Sequence, residues 1–146
     1  MEFQWIRVKV YKHLFVYGTL RRDSLHRYKD LFRISTRYIG KATVKGCLVD
    51  LGTYPGLVID DNESGLVHGD IYLVRRPKIL FQRLDQYEEI GLQFPRPNAY
   101  QRRVVEVSTP QGIVQAYAYV FNRSPIGLKK ISSGDYLKKF PWRYRK

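Results

Sequence analysis

One cysteine, Cys47, one methionine and three scattered histidines are all this 146-residue chain holds of the residues behind disulfides, soft-metal sites and paired imidazoles. A lone cysteine excludes an internal disulfide and points to a reducing, cytoplasmic compartment. His13, His26 and His68 share no paired spacing and have no cysteine partners, so neither a metal nor any other cofactor is expected. No run approaches the roughly 20 apolar residues of a membrane span, and the alternation of Met1 to Tyr11 lacks the apolar core of a signal segment. A Gly-x-Ser-x-Gly elbow, a Walker loop and a dinucleotide glycine fingerprint are all missing, and Ser133 has no recognisable histidine partner. The polar loop Asp60 to Gly65 lacks the alternating ligands of a calcium site.

Acidic side chains are scarce too, 13 against 26 basic ones, giving a net charge of +13. The excess is concentrated at the ends. Residues 1–13 carry three basic side chains against Glu2, and residues 138–146 carry five with no acid, together +7 of the +13. Basic tails of this kind favour solubility and touch polyanions without sequence preference. Hydrophobic residues at 44% and aromatics at 14%, including twelve tyrosines, describe one folded domain. Tyrosine, with an apolar body and a polar tip, suits both strands and the wall of a polar pocket.

The stretch Phe15-Val16-Tyr17-Gly18-Thr19-Leu20-Arg21 reads as a core strand ending in a tight turn, where Gly18 supplies backbone freedom and clustered N–H groups could hold an oxyanion. A plain strand and turn is the other reading of those residues. Glu2 to Tyr11 is an edge strand or a leader. Asp23 or Ser24 caps a short helix running through Phe32. A strand is predicted over Tyr38–Asp50, a Tyr54-Pro55-Gly56 bend follows, and further strands are predicted over Leu57–Ile59 and Leu66–Val74. Pro77 opens a helix that continues over Ile79–Glu88, and a loop runs from Gly91 to Asn98. Strands over Tyr100–Ser108 and Ile113–Phe121 form a hairpin around Pro110-Gln111-Gly112. Strands dominate, and glycines interrupt them where a sheet could curl, so the pattern predicts an α+β domain on a small, closed or nearly closed mixed sheet. Cys47 reads as a small core residue.

On the Pro77 helix, about 100° per residue places Leu80, Leu84 and Tyr87 on one face. Glu88 falls on the inner side near Phe81, whereas Glu89 points to water. A carboxylate at a helix C-terminus in apolar surroundings has a raised pKa, the property a general acid/base requires. The competing reading pairs Glu88 with Arg102 or Arg103 as a structural ion pair, which lowers the pKa.

Five motifs in order, Phe15 to Arg21, Tyr54-Pro55-Gly56, Leu84-Asp85-Gln86-Tyr87-Glu88, Tyr100-Gln101-Arg102 and Ser133-Gly134-Asp135-Tyr136, resemble the γ-glutamylcyclotransferase-like superfamily in its AIG2-like, γ-glutamylamine cyclotransferase branch. The resemblance implies a small mixed β-barrel with a few surrounding short helices over residues 14–137, between a basic N-terminal extension, 1–13, and a basic C-terminal tail, 138–146. It implies Glu88 as the acid/base, with Tyr17, Gly18, Thr19, Leu20, Tyr54, Tyr100 and Tyr136 binding the substrate. The implied reaction is cyclisation of a γ-glutamyl amine or peptide by its own α-amine, releasing 5-oxoproline. The alternatives are a non-catalytic small-molecule or protein-binding member of the fold and a nucleic-acid-binding barrel. The expected partner is a small γ-glutamyl molecule, with no membrane and no nucleic acid beyond non-specific contact through the tails. No oligomeric state is specified.

Overall fold

The computed structural model describes residues 11–22, 27–59 and 65–139. Most of the predicted edge strand or leader, the capping residues Asp23 and Ser24, positions 60–64 of the polar loop and the tail after Lys139 lie outside the described residues.

Strand β1 (His13–Val16) is buried along Leu14, Phe15 and Val16, as a continuous apolar run between two neighbours must be. It pairs antiparallel with β4 (Leu66–Val74), Phe15 opposite Ile71, and parallel with β6 (Gly112–Phe121), Leu14 opposite Tyr117. The 15-residue β2 (Thr36–Asp50) lies along β4 through Lys45, then passes to β3 (Pro55–Ile59) and β7 (Lys129–Ile131). A register shift between Tyr38 and Gly40 bends it. Where β3 takes over, a Cβ on Gly46 would stand 2.2 Å from the carbonyl oxygen of Val58, so only glycine lets the strands close there. A parallel contact of β3 with β6, Leu57 opposite Val120, completes the ring β1-β4-β2-β3-β6. The result is a closed five-stranded mixed barrel. β5 (Tyr100–Thr109) extends it as a hairpin with β6, in unbroken register from Tyr100/Phe121 to Thr109/Gly112.

Alternation then sorts the side chains into two apolar layers. Phe15, Val44, Leu48, Leu57, Ile71 and Val107 fill the barrel, whereas Leu14, Val16, Tyr72 and Tyr119 point outward. The outer layer is covered by α1 (Lys29–Ser35), which contributes Phe32, and α2 (Pro77–Tyr87), which contributes Leu80, Phe81 and Leu84.

The first helix runs three residues past its predicted end because tertiary partners hold its last turn. The Ser35 carbonyl accepts the N–H groups of Arg75 and Arg76, and the Thr36 hydroxyl donates to the Phe32 carbonyl. Neither β7 nor the four-residue α3 (Tyr136–Lys139) is predicted by the sequence pattern; both are too short to show a period. Cys47 is partly exposed on β2 instead of lying in the core. Among the described residues no helix is long and apolar enough to cross a membrane.

Candidate active site

The turn after β1 closes when the Arg21 N–H donates to the Gly18 carbonyl at 3.2 Å. The amides of Gly18, Thr19 and Leu20 have no acceptor among the described residues, and all three residues line a cavity of about 230 Å³. Gly18 has no positive φ, which corrects the expectation that it is present for its backbone freedom. Its value is proximity, since a Cβ there would meet the Pro55 ring at 3.1 and 3.3 Å. Residues 17–20 and Tyr54-Pro55 thus form two facing lips of one cavity.

Tyr17, Tyr54 and Tyr100 all line that cavity, but their tips differ in use. The buried Tyr17 hydroxyl donates to the Tyr119 carbonyl and accepts the Leu57 N–H at 3.2 Å, bridging the parallel seam of β6 and β3. The Tyr100 hydroxyl donates to the Pro55 carbonyl. Tyr54 is exposed at the rim, its ring centroid 6.1 Å from that of Tyr100. Tyr136 does not reach the wall. It is completely buried in the barrel interior, and its hydroxyl donates to the Thr53 carbonyl at 3.0 Å.

Two other tyrosines take part in the wall, Tyr87 and Tyr119. Tyr87 shares a helix face with Leu80 and Leu84, yet the helix ends there, and its ring stands at the cavity mouth with its hydroxyl 3.2 Å from that of Thr19. Tyr119 is an outward residue of β6, and its hydroxyl donates to Asp85 Oδ1 at 2.6 Å. Strand parity marks its face, but only the packing of α2 turns that face into a site wall.

Helix α2 ends in a Schellman arrangement, with the Ile90 N–H on the Asp85 carbonyl at 2.9 Å and the Glu89 N–H on the Gln86 carbonyl at 3.1 Å. Glu89 takes the left-handed position, φ 56°, normally given to glycine. Glu88 is the cap residue, and its partly buried side chain lines the cavity. Glu89 is exposed, as predicted, at the mouth.

Among the described residues nothing hydrogen-bonds or ion-pairs with the Glu88 carboxylate. The ion-pair reading therefore fails: Arg102 reaches Asp85 at 3.3 Å and lies 4.3 Å from the Phe81 ring centroid. Burial, and then the negative charge of Asp85 one turn earlier, push the Glu88 pKa up to about 8. The C-terminal pole of the helix acts in the same direction. Among the described residues Glu88 and Glu89 are the only carboxyl groups in the wall, and no lysine, arginine or histidine lines it. No group of three or more histidine, cysteine, aspartate or glutamate side chains among them is placed to hold a metal ion.

Chemically, the arrangement sets a carboxyl group that titrates near neutrality across a small tyrosine-walled cavity from a loop with unpaired amides. Residues 14–138 match the family described as gamma-glutamyl cyclotransferase, AIG2-like. The Escherichia coli protein YtfP, named as a member of the gamma-glutamylcyclotransferase family, is 30% identical over 125 residues, 85% of this chain and 95% of YtfP. Bacillus subtilis YkqA is 32% identical over 124 residues; the match takes in 84% of this chain but only 40% of YkqA, so the chain spans less than half that relative's length. The YkqA crystal structure superposes with a TM-score of 0.64, and that of a mouse AIG2-like protein with 0.65 at 25% identity, covering 86% of this chain and 88% of the mouse chain.

Proposed function

We propose, from the premise that this chain belongs to the AIG2-like γ-glutamyl cyclotransferase family, that it cyclises a γ-glutamyl amine or peptide to 5-oxoproline with Glu88 as the proton carrier. The observation that supports this most is Glu88 itself, a cavity carboxyl group with no partner among the described residues and a pKa raised to about 8, facing the Gly18–Leu20 loop.

The substrate brings its own nucleophile. Its α-ammonium passes a proton to the Glu88 carboxylate, and the freed α-amine attacks the γ-carbonyl carbon, forming the ring C–N bond. The tetrahedral centre then expels the leaving nitrogen, which takes the first proton back from Glu88, and the ring nitrogen gives up its surplus proton to the released amine by way of the same carboxylate. The products are 5-oxoproline and the amine as its ammonium ion, without water or any further reactant. Holding the chain folded so that amine and carbonyl meet supplies the ring-closing geometry. The unpaired amides of Gly18, Thr19 and Leu20 hold a carboxylate or the developing oxyanion.

The raised pKa has a calculable effect on the first step. A chain-terminal α-amino group titrates near 7.8 and the substrate's α-ammonium, beside its own carboxylate, higher, so a Glu88 with a pKa of about 8 brings acceptor and donor closer together. With an ordinary glutamate near 4.3, the same transfer would be more uphill by about 5 kcal/mol. Incubating the protein with a panel of γ-glutamyl amines and dipeptides and assaying 5-oxoproline tests the reading. Product from at least one substrate is expected, falling at least about 100-fold in Glu88→Gln. A folded protein that releases none from the whole panel defeats it.

A further inference from the structure

The Ser133-Gly134-Asp135-Tyr136 motif lies outside the cavity, yet two of its side chains each hold one lip. Asp135 Oδ1 accepts Arg21 Nη1 at 2.8 Å, directly after the Gly18–Leu20 loop. The next residue, Tyr136, donates to the carbonyl of Thr53, directly before Tyr54 and Pro55. Those contacts span 114 and 83 positions of sequence.

The motif is itself fixed. The Gly134 carbonyl accepts the His68 N–H at 2.8 Å, seating the segment on β4. A Cβ on Gly134 would lie 1.9 Å from the Leu66 carbonyl oxygen, and its φ is 66°, so the approach and the turn both require glycine. Asp135 also accepts the Lys138 N–H at 3.2 Å, capping α3, and its own N–H donates to the Ser133 hydroxyl at 3.2 Å.

Arg21 is buried between two carboxylates. Besides Asp135 it faces Asp70, Nε to Oδ2 at 3.7 Å. Asp70, 2% exposed, accepts the Arg22 N–H at 2.8 Å and the Tyr38 hydroxyl at 3.2 Å. Taking these charges out of water is expensive, and ion groups of this sort stabilise a fold poorly compared with apolar packing. Their effect here is to allow one position of the loop that follows β1.

We infer that Asp135 and Tyr136 are positioning residues that set the separation of the two cavity lips, Asp135 through Arg21 and Tyr136 through Thr53. Neither touches the substrate. The C-terminal segment thereby controls how well the Gly18–Leu20 amides and the Tyr54-Pro55 wall fit one ligand, an effect that rests on the proposed cyclisation only where activity is the readout.

The test uses the full chain with Asp135→Asn and Tyr136→Phe, two changes that keep shape and volume. Amide exchange is followed at Arg21 and Arg22 for the first lip, at Leu51, whose N–H is held by the Tyr54 carbonyl, for the second, and at Val105 and Ala116 for the barrel. Asp135→Asn is expected to speed exchange at Arg21 and Arg22 about tenfold or more, and Tyr136→Phe to do so at Leu51, with Val105 and Ala116 unmoved. On a turned-over γ-glutamyl substrate each variant should lose about tenfold in kcat/KM, the loss expected for one charged or buried hydrogen bond. The pH dependence due to Glu88 should stay in place. Unchanged exchange at both lips, or acceleration that includes the hairpin amides equally, overturns the inference, as does full kcat/KM in both variants. If the unaltered protein turns over nothing, the cyclisation reading falls and exchange alone decides this one.

Discussion

Replacing Glu88 with glutamine should remove turnover and at the same time make the protein more stable at alkaline pH. Folding raises the Glu88 pKa from 4.5 to about 8, so between those values the folded protein keeps a proton that the unfolded chain has released. Stability then falls as pH rises through this window, by at most about 1.4 kcal/mol per pH unit, and levels off above it. The full shift corresponds to about 5 kcal/mol; because the carboxyl group is only partly buried and opens onto the cavity, about 2–3 kcal/mol is the expected size. Glutamine copies the shape of the protonated acid and cannot ionise. Urea unfolding of both proteins at about pH 5 and about pH 9 therefore isolates this one group, since all others titrate alike. Near pH 5 the two should agree within about 1 kcal/mol, and near pH 9 Glu88→Gln should be the more stable by the amount above. A difference that stays flat with pH, or that favours glutamate as pH rises, would refute the burial argument and with it the matched-pKa mechanism.

Three further outcomes follow from neighbouring residues. Asp85→Asn removes the charge beside Glu88 and should move the pH–kcat/KM profile to lower pH, checked by rate measurements across pH on any active substrate. Tyr17→Phe leaves the Leu57 N–H and the Tyr119 carbonyl without their shared hydroxyl in a buried seam, and urea unfolding should show a loss of about 1–3 kcal/mol. Glu89→Gly relieves the left-handed backbone at the end of α2, where a side chain costs about 1–2 kcal/mol, and should raise stability by up to about 1 kcal/mol after the greater chain entropy of glycine is counted. Calorimetric melting reads that change.

Much of the fold is present in local pattern because its causes are local. The Tyr100–Phe121 hairpin follows from two apolar-rich segments joined by a short turn, and Pro77 marks the start of α2 because a first helical turn tolerates its missing N–H. Glu88 is legible in the same way, through its angle on that helix and its place in a family motif. The boundaries that shift, such as the end of α1 at Ser35, do so where a distant strand supplies the hydrogen bonds.

By itself, then, the order of residues determined most of the strand and helix elements, the α+β character, the likeness to one family and the candidacy of Glu88. Tertiary structure alone decided what each polar group does. Which charge neutralises which is settled by approach through space: Arg102 turns to Asp85 and leaves Glu88 alone, and Arg21 finds Asp135 across 114 positions. The same applies to the tyrosines, whose hydroxyls are alike in sequence. Burial and the nearest carbonyl make Tyr136 a strut behind the cavity and Tyr119 part of its wall, because a side chain's role depends on the neighbours that barrel closure brings to it.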